Sequence, residues 1–244
     1  MNFVDSKIKQ KRPLKNCLSK RRMIKANLFD FEFGIFDIDG TIIDSMTTYE
    51  EIFATVLNKK TGIPKEEAKR FYQETAGIVI RKQFEQILAL FKKSADVSEM
   101  AELFFEKAGK KRFKAFPGAK KLLENLHKGG IKLFGTSGSR NQDLDKKLKD
   151  NGLLIYFDLI MGSSEISKGI EHIKIFADFC NIPLEKFAKK AFLIGDGPPD
   201  MRIAKEAGIY AIGVSTTVDA KMLLQADANE VIKKLKVLEI DKQI

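Results

Sequence analysis

Residues 31–41 have the sequence Phe-Glu-Phe-Gly-Ile-Phe-Asp-Ile-Asp-Gly-Thr, in which an apolar run ends on two carboxylates, Asp37 and Asp39. The run predicts a buried strand that stops at Gly40. Because side chains alternate along a strand, we expect both carboxylates on one side of it, at its carboxyl end. Open α/β sheets bind their ligands at that edge. Neighbouring carboxylates repel each other, so the pair calls for a cation or a shared proton, unless it is only an acidic turn.

The composition indicates a soluble chain of one large domain, or one domain with a sizeable insertion, among 244 residues that are 44% hydrophobic. No apolar run approaches the roughly 20 residues of a membrane span, so we expect no membrane partner. Cys17 and Cys180 form no disulfide framework and no Cys-x-x-Cys site, which fits a reducing cytoplasm. His127 and His172 are interpreted as ordinary helix residues rather than zinc ligands.

Most of the net charge of +10 is concentrated at the amino terminus. Residues 1–25 hold nine Lys and Arg against Asp5 alone, which leaves +2 for the rest of the chain. Three interpretations compete for this segment: a basic arm for nucleic acid or an acidic surface, a targeting segment, or a leader before a start at Met23. We favour an incidental, disordered extension over residues 1–30 and do not expect a nucleic-acid partner.

After residue 115 the sequence alternates between strand and helix patterns. This alternation predicts βαβ units, and therefore a Rossmann-like parallel sheet with helices on both faces. The predicted strands are 131–135, 157–161, 191–194 and 210–214, and the predicted helices are 118–128, 141–150, 170–180 and 200–207.

The segment between the first strand and this series contains only helical patterns. Apolar residues recur at helical spacing in 48–60, 65–75, 78–91 and 98–111. We expect an α-helical cap over residues 46–115, inserted into an α/β core made of 31–45 and 116–244. A cap in this position lies over the strand ends and can act as a lid.

Polar groups follow three further predicted strands. Thr136-Ser137-Gly138-Ser139 offers hydroxyls and amides suited to an oxyanion, and Lys168 offers a point cation before a helix. Two further carboxylates, Asp196 and Asp200, follow the predicted strand 191–194, and we expect them at the same sheet edge. They belong to the segment Gly195-Asp196-Gly197-Pro198-Pro199-Asp200. Each segment alone has an ordinary structural explanation, as a turn, a solvated lysine or a helix cap.

Taken together, these segments resemble the motifs of the haloacid dehalogenase-like (HAD) hydrolase superfamily over roughly residues 31–235. The resemblance is to members with a helical cap, such as phosphoglycolate phosphatase and β-phosphoglucomutase. The sequence departs from the family pattern at Gly169, where relatives usually carry Pro, and at Gly197, where Thr or Ser is common. The matching segments are Asp37-Ile-Asp39-Gly40-Thr41, Thr136, Lys168 and Gly195-Asp196-x-x-x-Asp200.

The resemblance implies a phosphoryl-transfer mechanism. Asp37 would attack phosphorus and form an aspartyl-phosphate, and Asp39 would serve as general acid and then general base. The phosphate would be held by Thr136, Ser137, Gly138 and Lys168. The ligands of Mg²⁺ would be Asp37, the backbone carbonyl of Asp39 and Asp196, with Asp200 in support. A carboxylate-rich, oxygen-only site favours a hard cation on charge grounds as well.

Three functions remain open at this stage. The first is a Mg²⁺-dependent phosphatase for a small phosphorylated metabolite, either a phosphoglycolate-like acid or a sugar phosphate. The second is a β-phosphoglucomutase-type phosphotransferase, which Thr41 disfavours, and the third is a nucleic-acid-binding protein with an idle core. Specificity is expected in the loop 77–82, where Arg81 or Lys82 could contact the substrate or could be solvated charges at a helix start.

Overall fold

The computed structural model describes residues 26–75 and 78–238. The basic residues 1–25 therefore lie outside the described residues. Residues 26–30 do not fit the expected disordered extension, because Leu28–Asp30 form a 3-10 turn. Leu28 is 1% exposed and packs into the core, so the folded part begins before residue 31.

Eight strands and ten helices occur among the described residues, and each predicted element from residue 46 to residue 214 forms within two residues of its expected ends. The strands are β1 (Phe33–Asp37), β2 (Ile43–Asp44), β3 (Lys114–Ala115), β4 (Lys132–Thr136), β5 (Leu159–Met161), β6 (Ala191–Gly195), β7 (Tyr210–Val214) and β8 (Glu230–Ile232). The helices are α1 (Met46–Thr61), α2 (Lys65–Glu74), α3 (Ile80–Leu90), α4 (Val97–Gly109), α5 (Ala119–Lys128), α6 (Asn141–Asp150), α7 (Ile170–Phe179), α8 (Leu184–Ala188), α9 (Pro198–Ala207) and α10 (Ala220–Gln225).

Six of the strands form one parallel sheet in the order β5-β4-β1-β6-β7-β8. Strand β1 lies between β4 and β6, with Asp37 in register with Thr136 and Phe36 in register with Ile194. The carboxyl ends of these three strands therefore meet at one edge, as expected for an open α/β sheet. The expected Rossmann-like fold is confirmed.

Both faces of the sheet are covered by helices. Helices α5 and α6 bury Leu122, Leu144 and their neighbours against one face, in a cluster with Phe36 and Phe192. Helices α7 to α10 bury a second cluster against the other face. Central strands covered on both sides are apolar throughout, which is why β1 and β6 are fully buried along their length.

Helices α1 to α4 have a hydrophobic cluster of their own. The rings of Phe53 and Phe84 stack at its centre with centroids 4.6 Å apart. The chain passes from the sheet to these helices and back through β2 and β3, which pair antiparallel. This short pair was not expected from the sequence, and it keeps the two connections side by side.

The first strand is shorter than expected. It ends at Asp37 rather than near Gly40, because Gly40 adopts φ +90° and turns the chain away from the sheet. Asp39 therefore belongs to the turn, and strand alternation does not explain its direction. In addition, α9 begins at Pro198 and not at Asp200, since proline is well suited to the first turn of a helix.

No helix within 26–75 and 78–238 has the length and apolar character needed to cross a membrane.

Candidate active site

A cavity of about 520 Å³, measured with its open mouth, lies between the strand ends and helices α1 to α4. Asp37, Asp39, Asp196 and Lys168 line its floor. The structure thus brings together carboxylates and a lysine that are up to 159 residues apart in the sequence.

Lys168 joins two of the carboxylates. Its Nζ lies 2.5 Å from Oδ1 of Asp37 and 2.5 Å from Oδ1 of Asp200, and all three side chains are at most 4% exposed. Burial would lower the pKa of Lys168, but the charges of Asp200 and Asp37 outweigh burial and raise it. Lys168 is therefore a permanent cation beside the carboxylate of Asp37.

The other oxygen of Asp37 has no hydrogen-bond donor among the described residues. This oxygen, Oδ2, is buried. Carboxylate oxygens of Asp37, Asp196 and Asp200 lie within 4.8 Å of one another. Burial raises the pKa of Asp37 well above its usual value, with Asp200 and Asp196 adding to it and Lys168 opposing it. Burial and the charge of Asp200 raise the pKa of Asp196 to about 6.

These three carboxylates fit a hard divalent cation. Three buried carboxylates this close together repel one another and are costly to desolvate, and a cation would offset both effects. The donors are all oxygens, and Mg²⁺ is usually held by one or two carboxylates together with substrate phosphate. Asp37 and Asp196, with Asp200 in support, are expected ligands of Mg²⁺, and the structure places their three carboxylates together.

The position of Asp196 depends on a close approach of the first turn. Thr41 and Thr217 donate their hydroxyl protons to the two oxygens of Asp196. A Cβ at Gly40 would lie 2.1 Å from Oδ2 of Asp196, and the φ of +90° also favours glycine. The Gly40-Thr41 segment therefore packs directly on Asp196.

Asp39 is held by four donors. Ser45 and Lys147 donate to its Oδ1 at 2.7 and 2.5 Å, while Ser137 and Ser139 donate to its Oδ2 at 2.8 and 2.7 Å. Burial would raise the pKa of Asp39, but the charge of Lys147 and these hydrogen bonds prevail and lower it. Asp39 is therefore an ionised carboxylate, distinct from Asp37.

Lys147 was not identified from the sequence. It lies on α6, 108 residues from Asp39, among the repeated lysines of an ordinary amphipathic helix. It is 6% exposed, whereas the neighbouring Lys146 is 55% exposed. One indication was available in the sequence. Lys147 is three residues after Leu144 and next to Leu148, both of which are buried, so its position lies on the core-facing side of α6.

The loop after β4 presents Ser137 rather than Thr136 to the cavity. The Nε2 atom of His172 lies 3.1 Å from the carbonyl of Ile166, which can only accept, so Nε2 carries the proton. Burial lowers the pKa of His172, and the neutral ring then accepts the hydroxyl proton of Thr136 at Nδ1, over 2.8 Å. The proton of Thr136 is thus engaged away from the cavity.

Ser137 and Gly138 line the cavity as expected. The amide of Gly138 makes no hydrogen bond to any described residue, which leaves a backbone donor at the strand end. Ser139 donates its amide to Oγ of Ser137, so the loop is closed on itself. Such a turn, with backbone donors and hydroxyls, is suited to phosphoryl oxygens.

Arg81 and Lys82 do not line the cavity. Arg81 is about half exposed and donates to Ser98 at 2.8 Å and to Glu102 at 3.3 Å, on the outer side of α4. Lys82 is exposed. The positions that reach the cavity from this segment are Ile78, Ile80 and Gln83, whose side chains carry no charge.

Comparison with known proteins agrees with this geometry. Residues 34–214 match the family described as haloacid dehalogenase-like hydrolase. The chain is 29% identical to a probable phosphatase, IndB, of Dickeya dadantii, over 81% of this chain and 87% of that protein. It is 24% identical to a phosphoglycolate phosphatase of Vibrio cholerae, over 74% and 82%. A haloacid dehalogenase-like hydrolase from Streptococcus pneumoniae has a similar fold, with a TM-score of 0.71, 23% identity and coverage of 84% and 95%.

The family match spans most of the chain, and the chain therefore belongs to the haloacid dehalogenase-like hydrolases. Within that family it is a phosphatase, a hydrolase that acts on phosphate esters.

Proposed function

We propose that the protein is a Mg²⁺-dependent phosphatase that hydrolyses a small phosphomonoester through an aspartyl-phosphate on Asp37. The observation that carries the proposal is the asymmetry of Asp37. One oxygen is held by Lys168, while Oδ2 accepts no hydrogen bond from the part of the chain that the structure describes, and the residue lines the cavity. A carboxylate fixed by one oxygen leaves the other as an oriented nucleophile.

In the first half-reaction, Oδ2 of Asp37 attacks phosphorus and the bond from phosphorus to the ester oxygen breaks. Asp39, which is ionised in the free site, takes up a proton from solvent when the substrate binds and passes it to that oxygen. Phosphoryl transfer requires charge compensation for the equatorial oxygens. Lys168 and the amide of Gly138 supply donors at the cavity floor, whereas the hydroxyl proton of Ser137 is engaged with Asp39. A Mg²⁺ ion held by Asp37, Asp196 and Asp200, with the carbonyl of Asp39, would supply further positive charge there.

In the second half-reaction, Asp39 takes a proton from water, which attacks the phosphorus and restores Asp37. The lowered pKa of Asp39 suits this step, because an ionised carboxylate is ready to accept a proton. Asp37 and Asp39 have opposite pKa shifts, and such divergent environments are typical of groups with different catalytic roles.

The test is phosphate release from acetyl phosphate and a panel of phosphomonoesters, with Mg²⁺ or with EDTA. Wild type should turn over only with Mg²⁺, and Asp37→Asn should be inactive. Asp145→Asn, on the exposed side of α6, is the matched control and should behave as wild type. Asp39→Asn should accumulate a phosphoryl group on the peptide that contains Asp37, detected by mass spectrometry after acid quench.

Metal-independent turnover, or turnover that survives Asp37→Asn, would contradict the proposal. Isomerisation of a hexose 1-phosphate that requires a bisphosphate activator would favour the mutase instead.

A further inference from the structure

We propose that the substrate is the phosphate ester of an uncharged alcohol that carries a flat, largely apolar ring, and that carboxylate-bearing esters are disfavoured. The inference rests on the proposed function and narrows it. It follows from the part of the cavity that receives the alcohol, which is formed by helices α1 to α4.

The wall of the cavity opposite the phosphate site is aromatic and aliphatic. It is formed by residues of four helices, namely Tyr49 of α1, Tyr72 of α2, Ile80 of α3, and Phe104 and Phe105 of α4. Within 46–75 and 78–115, no Lys, Arg, Asp or Glu side chain lines the cavity. Aromatic walls favour ring-bearing ligands through offset or edge contacts, in addition to the apolar area that they bury.

The charged residues of these helices are engaged with one another on the surface. Arg81 pairs with Glu102, Lys69 with Glu51 at 2.7 Å, and Lys60 with Glu99. None of these three pairs lines the cavity, so their cations are not available there to a substrate carboxylate.

Few polar atoms remain for a polyhydroxyl substrate. The amide nitrogen of Gln83 is engaged with the carbonyl and hydroxyl of Thr75, at 2.8 and 3.0 Å. The hydroxyl of Tyr72 makes no hydrogen bond to the described residues, although the side chain lines the cavity. Burial and the nearby charges of Asp39 and Asp196 raise the pKa of Tyr72, so its phenol remains a donor.

A substrate carboxylate beside α1 to α4 would be desolvated with no cation from the described residues of these helices lining the space. It would also lie near Asp39, whose ionised carboxylate repels it. Burial of an unpaired charge is among the most unfavourable events in a protein interior. A sugar would leave most of its hydroxyl groups unpaired, which is also unfavourable. A neutral ring with one hydrogen-bonding group, opposite Tyr72, fits what is present.

The experiment compares kcat/KM for benzyl phosphate, 2-phosphoglycolate and ribose 5-phosphate, with acetyl phosphate as a reactive donor that places almost nothing against α1 to α4. We expect kcat/KM for benzyl phosphate to exceed that of the other two monoesters by on the order of 100-fold, which is within the range over which apolar pockets discriminate between substrates. Calorimetry provides a second measurement without turnover, in which benzylphosphonate should bind more tightly than phosphonoacetate.

Ile78→Arg tests the cause of the preference. Ile78 is half-buried at the cavity, so the variant adds a cation with little disturbance of the core. It should lower the ratio of benzyl phosphate to 2-phosphoglycolate turnover by about tenfold or more. Arg81→Ala, on the outer surface, is the control and should leave the ratio and the basal activity unchanged.

Equal or faster turnover of 2-phosphoglycolate or ribose 5-phosphate, or tighter binding of phosphonoacetate, would overturn the inference while leaving the phosphatase in place. Failure to hydrolyse even acetyl phosphate would overturn the proposed function, and the substrate inference with it.

Discussion

The ammonium group of Lys147 lies 2.5 Å from Oδ1 of Asp39, and the two side chains are 6% and 10% exposed. The same ammonium lies 5.1 Å from the ring centroid of Tyr49, on α1. Lys147 thus connects a helix of the α/β core, the turn after the first strand and the helical insertion. An ion pair this deeply buried is costly to break, because the remaining partner keeps its charge without compensation.

We expect Lys147→Met to destabilise the protein by about 3 kcal/mol, since Asp39 loses its only cationic partner among the residues described. The measurement is urea unfolding at neutral pH without metal. Lys146→Met, on the exposed side of the same helix, should change stability by less than about 0.5 kcal/mol. Equal effects of the two substitutions would show that the Lys147–Asp39 pair does not stabilise the fold.

Removal of the cation that bridges Asp37 and Asp200 should affect catalysis. We expect Lys168→Met to lower kcat/KM by on the order of 10³, because the phosphoryl oxygens and Asp37 lose a fixed donor. Lys174→Met, exposed on α7, is the control. Activity of Lys168→Met within a few-fold of wild type would contradict the role proposed for Lys168.

The packing of Gly40 on Asp196 can be separated from the effect of its φ angle. Gly62 also has a positive φ, +74°, but a Cβ there meets nothing within 4 Å. Gly62→Ala should therefore lower the free energy of unfolding by about 1–2 kcal/mol, which is the cost of placing alanine in the left-handed conformation. Gly40→Ala should cost at least about 1 kcal/mol more, since its Cβ would overlap Asp196. Denaturant unfolding of both variants measures the difference, and equal losses would show that the Asp196 contact is readily relieved.

Binding of Mg²⁺ should release protons near pH 6. The pKa of Asp196 is raised to about 6, and that of Asp37 is also raised, so part of the site is protonated there. A cation binds the ionised carboxylates, and the part of the release that comes from Asp196 should fade as the pH rises towards 8. Calorimetric titration in buffers of different ionisation enthalpy counts the protons. If the heat of Mg²⁺ binding at pH 6 is the same in all buffers, no protons are released, which would contradict the prediction that the site is partly protonated.

His172 should make the fold less stable as the medium is acidified. Burial lowers the pKa of His172 in the folded protein, whereas in the unfolded chain the pKa is about 6.5. Near and below that pH the unfolded chain therefore binds a proton that the folded chain does not bind. The contribution of His172 to the free energy of unfolding is therefore fully present above about pH 6.5. It is lost as the pH falls below that value, by at most about 1.4 kcal/mol per pH unit for one proton. His172→Gln should flatten the stability–pH curve between pH 7 and pH 5, whereas His127→Gln, on the exposed end of α5, should not. If the slope of the stability–pH curve persists in His172→Gln, other titratable groups are its cause.

The elements of the fold were predictable because their patterns are local. Helix α6 and strand β7 begin and end where the periodicity of the sequence places them, since helical and strand repeats are set by neighbours within a few residues. Asp37, Asp196 and Lys168 could be assigned to one edge because the carboxyl ends of parallel strands meet there. The sequence alone was thus sufficient for the fold class and the floor of the site.

Features that depend on contacts between distant segments required the tertiary structure. Lys147 looks like any lysine of an amphipathic helix until α6 packs beside Asp39. Thr136 and Ser137 are adjacent in the sequence. The hydrogen bond of Thr136 to His172 turns the hydroxyl of Thr136 away from the cavity, which Ser137 lines. Arg81 turns outward because Ser98 and Glu102 lie within its reach. Short-range patterns predict which elements form, but the direction of each side chain depends on partners that folding brings together.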